Sequence, residues 1–285
     1  MIPSSFDYVA PFTVDEAVRA LADGGEDAKV IAGGQSLLPV LRLRMATPTL
    51  LVDLGHIGEL RGVRDDGDAL VIGAMTTHHD VLHDPLVGEH ARLVALTTAT
   101  VADPQIRHRG TIGGSLAHAD PAGDLGGAIV ALDAQLVVAG MDGERTVPAS
   151  EFFVDLFTTA LAPGELLVGV RVPKLTGWGA HYEKFHRTAQ AWSIVGVAAA
   201  VRMDGATIAE ARVGLTNVGS TPVRARGVEQ ALVGGPATPE AIKAAAAYAA
   251  EGVEPIVDGN ADAEYRRHLA TVLTGRAVTS AAGAG

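Results

Sequence analysis

Two short glycine-rich stretches stand far apart in the chain, Ala32-Gly33-Gly34-Gln35-Ser36 and Thr111-Ile112-Gly113-Gly114-Ser115. Paired glycines leave the backbone without Cβ atoms, so peptide N–H groups can come close to another chain segment or to an anion. Ser36 and Ser115 add hydroxyl donors at the ends. The first stretch follows the apolar run Lys29-Val30-Ile31 and leads into Leu37–Leu43, a strand–loop–helix order that puts a helix N-terminus beside the glycines. Two such cradles can hold a diphosphate from both sides, and the pattern predicts a dinucleotide cofactor.

Other chemistries lack their residues. There is no cysteine, which excludes disulfides, thiolate zinc sites, cysteine nucleophiles and cysteine-held iron–sulfur clusters within the chain. No Gly-x-Gly-x-x-Gly opens a helix, no Walker A loop occurs, and no Gly-x-Ser-x-Gly elbow is present. The net charge of −11 argues against nucleic acid as a partner. The N-terminal residues carry no basic and apolar leader, and no apolar run reaches membrane-spanning length. A cytoplasmic location is expected, with attachment to the inner face of a membrane left to a partner. Aromatic residues make up only 4% of the chain, so Ala, Val and Leu must fill the core.

Along the chain, Thr13 and Glu16 form a capping box for a helix that stops at Gly24-Gly25. With strands at Lys29–Ile31 and Leu50–Leu54, residues up to about 55 read as a β-α-β-α-β unit. Strands follow at Gly62-Val63 and Leu70–Ile72. Helices are expected from Thr77, from Pro85 toward Thr100, and from Pro121 to Leu132, with a hairpin over 135–147 and a strand at Leu166–Val172. After Gly177 the pattern changes to a three-strand meander (Ala180–Phe185, Val195–Met203, Ile208–Thr216). Helices at Val223–Leu232, Pro239–Ala250 and Ala263–Leu273 follow, then a frayed tail from Ser280. A domain boundary is expected near residue 176, dividing 1–176 (lobes 1–55 and 56–176) from 177–285.

Around the second glycine stretch, polar residues crowd: Asp103, Gln105, Arg107, His108 and Arg109 before it, His118, Asp120 and Asp124 after it. Asp120 reads as a helix cap, and Asp124 as an acceptor for ribose or ribitol hydroxyls. His78-His79-Asp80 with His83 has metal-like spacing but reads as a surface helix face. Taken alone, Trp192 reads as packing and Lys184 as a surface charge.

Ala32–Ser36 continued by Leu37-Leu38-Pro39 and Arg42-Leu43-Arg44, together with Thr111–Ser115 continued by Leu116-Ala117-His118-Ala119-Asp120-Pro121-Ala122-Gly123-Asp124, resembles the FAD-binding medium subunits of molybdenum hydroxylases. The resemblance covers nearly the whole chain. Its Lys184-Phe185-His186-Arg187 and Trp192 are most similar to the carbon monoxide dehydrogenase branch, except that Ala191 stands where that branch has an acid. The resemblance implies an α+β fold: a two-lobed FAD-binding domain of the vanillyl-alcohol-oxidase (PCMH) type plus a C-terminal antiparallel sheet with a helical bundle. It implies cofactor contacts at Ala32, Gly33, Gly34, Gln35, Ser36, Leu37, Thr111, Ile112, Gly113, Gly114, Ser115, Asp124, Leu167, Lys184 and Trp192. It further implies FAD in this chain, a large partner with the molybdenum cofactor, a small partner with two [2Fe–2S] clusters, a dimer of heterotrimers, and a quinone or other electron acceptor. Related subunits serve nicotine- and purine-type dehydrogenases. A self-sufficient flavin oxidoreductase and a scaffold without cofactor are the rival readings, and the absence of cysteine argues against the benzoyl-CoA reductase branch.

Overall fold

A computed structural model describes residues Ile2–Gly283. Three main sheets follow one another along the chain, and a two-stranded hairpin, Phe153–Asp155 with Thr158–Thr159, is inserted within the second. The first is parallel, with Leu50–Asp53 between Asp7–Val9 and Ala28–Ile31. Parallel strands need crossovers, which helices Val14–Gly24 and Leu37–Arg42 supply. The Thr13 hydroxyl accepts from Glu16 N–H at 3.2 Å, and the Glu16 carboxylate reaches back to Phe12 N–H at 2.9 Å. Gly25, at φ +66°, turns the chain out of that helix in a conformation only glycine adopts freely.

The second sheet is antiparallel, in the order Val63–Asp66, Ala69–Gly73, Leu166–Pro173, Gln135–Gly140 and Gly143–Pro148. Helices between its second and third sequence strands pack on it. The helix expected from Pro85 to Thr100 is two helices, Pro85–His90 and Arg92–Ala99, because Ala91 leaves helical geometry at φ −133°. The helix expected from Pro121 begins at Asp124, after a turn in which the Asp120 side chain accepts from Ala122 N–H at 2.9 Å. Asp120 therefore shapes the preceding turn, and Gly123 takes the cap position.

The third sheet is the expected meander, Gly179–Phe185, Val195–Asp204 and Thr207–Thr216, plus a short fourth strand, Val223–Arg224. Val223 and Arg224 pair with Leu215 and Gly214, so the next helix starts only at Arg226. The last helix runs from Ala263 to Ala282 without fraying at Ser280, while Ala284 and Gly285 of the expected tail lie outside the described residues. Among the described residues no helix is long and apolar enough to cross a membrane.

Strand Val195–Asp204 explains how the third sheet joins the rest. Ala198 and Ala200 face the core shared with the second sheet, while Val197, Ala199 and Val201 face the C-terminal helices. Alternation with both faces covered produces the unbroken apolar run seen in the sequence. Helix Asp124–Ala131, buried at every residue, lies against Thr207–Thr216. A Cβ on Gly214 would stand 2.0 Å from the Gly127 carbonyl oxygen, so the helix touches the strand backbone directly. Gly214→Ala must push the two apart. We expect a loss of about 1–3 kcal/mol, read as a lower urea midpoint at unchanged slope; an unchanged midpoint would mean that this contact yields freely.

Candidate cofactor site

The two glycine stretches meet. A Cβ on Gly33 would stand 2.2 Å from the Arg109 carbonyl oxygen and 2.7 Å from Gly110 Cα. A Cβ on Gly114 would lie 3.5 Å from Ala32 Cβ and 2.8 Å from the Thr111 hydroxyl. At the glycines the contact between the first and second lobes is thus backbone on backbone, possible because Gly33 carries no side chain. Gly34, at φ +75°, turns the chain into the helix that begins at Leu37.

The donors of the two stretches differ. The backbone N–H groups of Gly33, Gly34, Gln35, Ser36 and Leu37 have no acceptor among the described residues. The stretch is half-buried, so these donors sit at a surface that water or an anion can reach. The second stretch, expected as a loop, is the first turn of helix Ile112–His118. Four of its N–H groups are spent: Ile112 on Thr76 O at 3.1 Å, Gly113 on Ala74 O at 2.9 Å, Gly114 on the capping Thr111 hydroxyl at 3.1 Å, and Ser115 on Thr111 O at 3.0 Å. A grip by peptide donors from both sides is therefore replaced by donors on one side and a close-fitting wall, with the helix N-terminus behind it, on the other.

His78 supports that wall. Its N–H donates to Gly110 O at 2.9 Å, and its ring lies where a Cβ on Gly110 would stand 2.9 Å away. The side chain is buried, and its Nδ1 has no partner. Burial, and to a lesser degree the Arg107 guanidinium, pushes His78 down to about 4.

Away from the glycines, Asp124 is the hub of a buried network. Its Oδ1 accepts from Tyr182 at 2.8 Å and from Ser193 at 2.6 Å; its Oδ2 accepts from Lys184 Nζ at 2.7 Å. Lys184 also donates to Thr100 O at 3.1 Å, so it is buried rather than a surface charge. Burial, reinforced by the Asp124 carboxylate, raises the Tyr182 hydroxyl well above its ordinary range and keeps it a donor. Leu167 is 3% exposed, within the middle core. Trp192 is 56% exposed. His79 stacks on His108 at 3.9 Å between ring centroids, and no group of three or more metal-ligating side chains occurs among the described residues.

The fold recurs in known proteins. Residues 4–175 match the model of the FAD binding domain in molybdopterin dehydrogenase, and residues 180–281 match the CO dehydrogenase flavoprotein C-terminal domain. The chain is 43% identical to the carbon monoxide dehydrogenase medium chain of Hydrogenophaga pseudoflava, over 99% of this chain and 98% of that one. It is 39% identical to the 6-hydroxypseudooxynicotine dehydrogenase complex subunit alpha of Paenarthrobacter nicotinovorans, over 99% and 96%. The solved structure of reconstituted CO dehydrogenase from Oligotropha carboxidovorans superimposes with a TM-score of 0.97 at 40% identity, covering 100% of both chains. The chain belongs to the FAD-binding subunits of the molybdenum hydroxylases.

The family's cofactor is FAD, and the residues present suit its diphosphate. Gly33 and Gly34 leave open backbone donors, and Gly114 is free of side-chain bulk beside Ala32. Sequence reasoning missed His78, Tyr182, Ser193 and the Arg109–Gly110 backbone. No spacing rule marks them; the one local sign was that Arg109-Gly110 directly precede the second stretch. His78 predicts a pH dependence. Its folded pKa of about 4 lies below the ordinary 6.5, so its contribution is complete above pH 6.5 and is lost as pH falls toward 4. Between pH 7 and pH 5 the chain should lose about 2 kcal/mol of stability, and His78→Gln should flatten that slope in denaturant titrations. An equally steep slope in the variant would assign the loss to other groups.

Proposed function

We propose that this chain is the FAD-carrying electron-transfer subunit of an aerobic carbon monoxide dehydrogenase. The observation that carries the reading is the closure of two glycine stretches on each other with the donors of Gly33–Leu37 left open. Ala32–Leu37 would bind the diphosphate, and Thr111–Ser115 would form the facing wall, with the Ser115 hydroxyl as a further donor. When bound, FAD supplies a ring that accepts electrons one at a time and releases them in pairs. The chain's own residues would hold that ring in place; none needs to move a proton on the substrate. Trp192 would stand beside the ring. Asp124 and Lys184, bonded to each other and to Tyr182, Ser193 and Thr100 O, would lie near it, and Leu167 would line the adenine or ring pocket.

The partners in this reading are a large subunit with the molybdenum cofactor and a small subunit with two [2Fe–2S] clusters, in a cytoplasmic dimer of heterotrimers, attached to the inner face of the membrane through a partner where the acceptor is a quinone, that passes electrons to a quinone or another acceptor. Residues 1–176 would form the FAD-binding unit and 177–285 the C-terminal unit. Similarity to the carbon monoxide dehydrogenase medium chain supports the substrate. Similarity to the 6-hydroxypseudooxynicotine dehydrogenase subunit favours a second reading, an N-heterocycle dehydrogenase.

The test uses the assembled enzyme. Carbon monoxide should reduce a dye in the presence of the complex, and reduction by nicotine- or purine-type substrates alone would move the chain to the second reading. Gly33→Ala should lower flavin content by about tenfold or more, equivalent to about 1.4 kcal/mol of binding, because its Cβ forces Arg109 and Gly110 away. Gly58→Ala, with open space around it, should keep full flavin. Equal flavin in both variants would contradict the site.

A further inference from the structure

Residues 186–194 leave the third sheet after Phe185 and return at Ile194, whose N–H donates to Phe185 O at 2.8 Å. His186–Gln190 and Trp192 are exposed, Gln190 is left-handed at φ +69°, and one backbone bond, Ala191 N–H to Thr188 O at 3.2 Å, crosses the excursion. A stretch with so few internal bonds should wander on the nanosecond scale.

Two side chains oppose that motion, one at each flank, and both act on a single carboxylate. Lys184, just before the excursion, donates to Asp124 Oδ2; Ser193, just before its return, donates to Asp124 Oδ1. Asp124 starts a helix that is buried at every residue, so the carboxylate is a fixed post. Ser193 is held from the other side as well: its carbonyl accepts from Asn217 Nδ2 at 2.6 Å. The fully buried Arg266 donates to Ile194 O and to Asn217 O, the latter at 3.3 Å. The residue between the Ser193 anchor and the loose stretch is Trp192.

We propose that Asp124 and Ser193 are positioning residues: the Asp124 carboxylate clamps both flanks of the 186–194 excursion and fixes where the Trp192 indole stands. The consequence for the flavin rests on the reading of Trp192 given above. Asp124 then acts by holding a segment, and its buried pairing with Lys184 becomes half of a clamp.

Ser193→Ala removes one arm of the clamp and leaves Asp124 paired with Tyr182 and Lys184, so the fold keeps its network. The full chain is prepared without flavin and with Trp178→Phe, so that Trp192 is the one indole. Time-resolved anisotropy of Trp192 should show the amplitude of fast local motion rising about twofold, with far-UV circular dichroism unchanged. Asn217→Ala, which frees the Ser193 carbonyl, should act in the same direction and serves if Ser193→Ala does not fold. Unchanged amplitude in the folded variants overturns the clamp. In the assembled, flavin-loaded enzyme, flavin reoxidation by the acceptor is then compared between Ser193→Ala and Trp192→Ala. Increased motion with parallel changes in reoxidation supports both the clamp and the placement of Trp192. Increased motion with normal reoxidation in both variants keeps the clamp and removes Trp192 from the flavin.

Discussion

The approach of Gly33 to the Arg109–Gly110 backbone is the constraint on which the cofactor site depends. The parallel and antiparallel sheets share an apolar cluster that holds Val52 of the first with Leu166 and Val168 of the second, but at the glycines they have to meet without side chains between them. The contact needs Gly33 on one side and a buried support on the other, which His78 supplies by bonding Gly110 and packing behind it. Gly113 repeats the arrangement one turn on, where a Cβ would stand 2.5 Å from Ala74 Cβ. The glycines of the second stretch are therefore explained by packing as much as by ligand approach. Their conformations are helical, and what they provide is thinness.

An account of the peptide donors follows from this. Buried N–H groups in native proteins are almost always paired, and the groups that are unpaired at an accessible surface are the ones free to serve a ligand. Of the two stretches, the half-buried Gly33–Leu37 holds those groups, whereas Thr111 is buried. For a chain carrying a net charge of −11, a local set of uncommitted donors at the start of a helix is a way to hold an anion without placing a cationic side chain on it. Arg44 is turned to the N-terminal segment, with its Nε on Ile2 O at 3.2 Å.

The order of strands and helices was legible because hydrophobic periodicity and punctuation by Gly and Pro agree over most of the chain, as at Gly25 and at Pro239, which opens the helix to Ala246. The second glycine stretch was legible as a site but not as a helix. Two adjacent glycines lower helix propensity by about 1 kcal/mol each, and what overrides them is tertiary: the burial of Ile112 and Leu116 and the Thr111 cap. Val223–Arg224 read as helix for the same kind of reason, since its strand character exists only through pairing with Gly214 and Leu215. The Asp124 network was hidden because its members come from four separate parts of the chain. Lys184 and Trp192 read alone as surface charge and packing; the structure reverses both, burying the Lys and exposing the Trp.

The pairing of Asp124 with Lys184 raises the question of why a charge pair stands in this core at all. Both side chains are almost fully removed from water, at 4% and 6% exposure, and desolvating two ions costs several kcal/mol each before their attraction is counted. Two apolar residues of similar size would pack there at lower cost. What they could not do is set direction. A carboxylate with two oxygens, each with its own donors, fixes the orientation of strand 179–185 through Lys184 and Tyr182, and of the returning segment through Ser193, to within hydrogen-bond tolerance. An apolar contact tolerates sliding and rotation, and a sheet edge next to a poorly bonded excursion is where sliding is easiest. Asp124 can recover its desolvation only if every donor is present, because an unpaired buried charge is far more costly than a paired one. The network is therefore cooperative by construction, and the position of the exposed indole at its rim follows from a buried carboxylate.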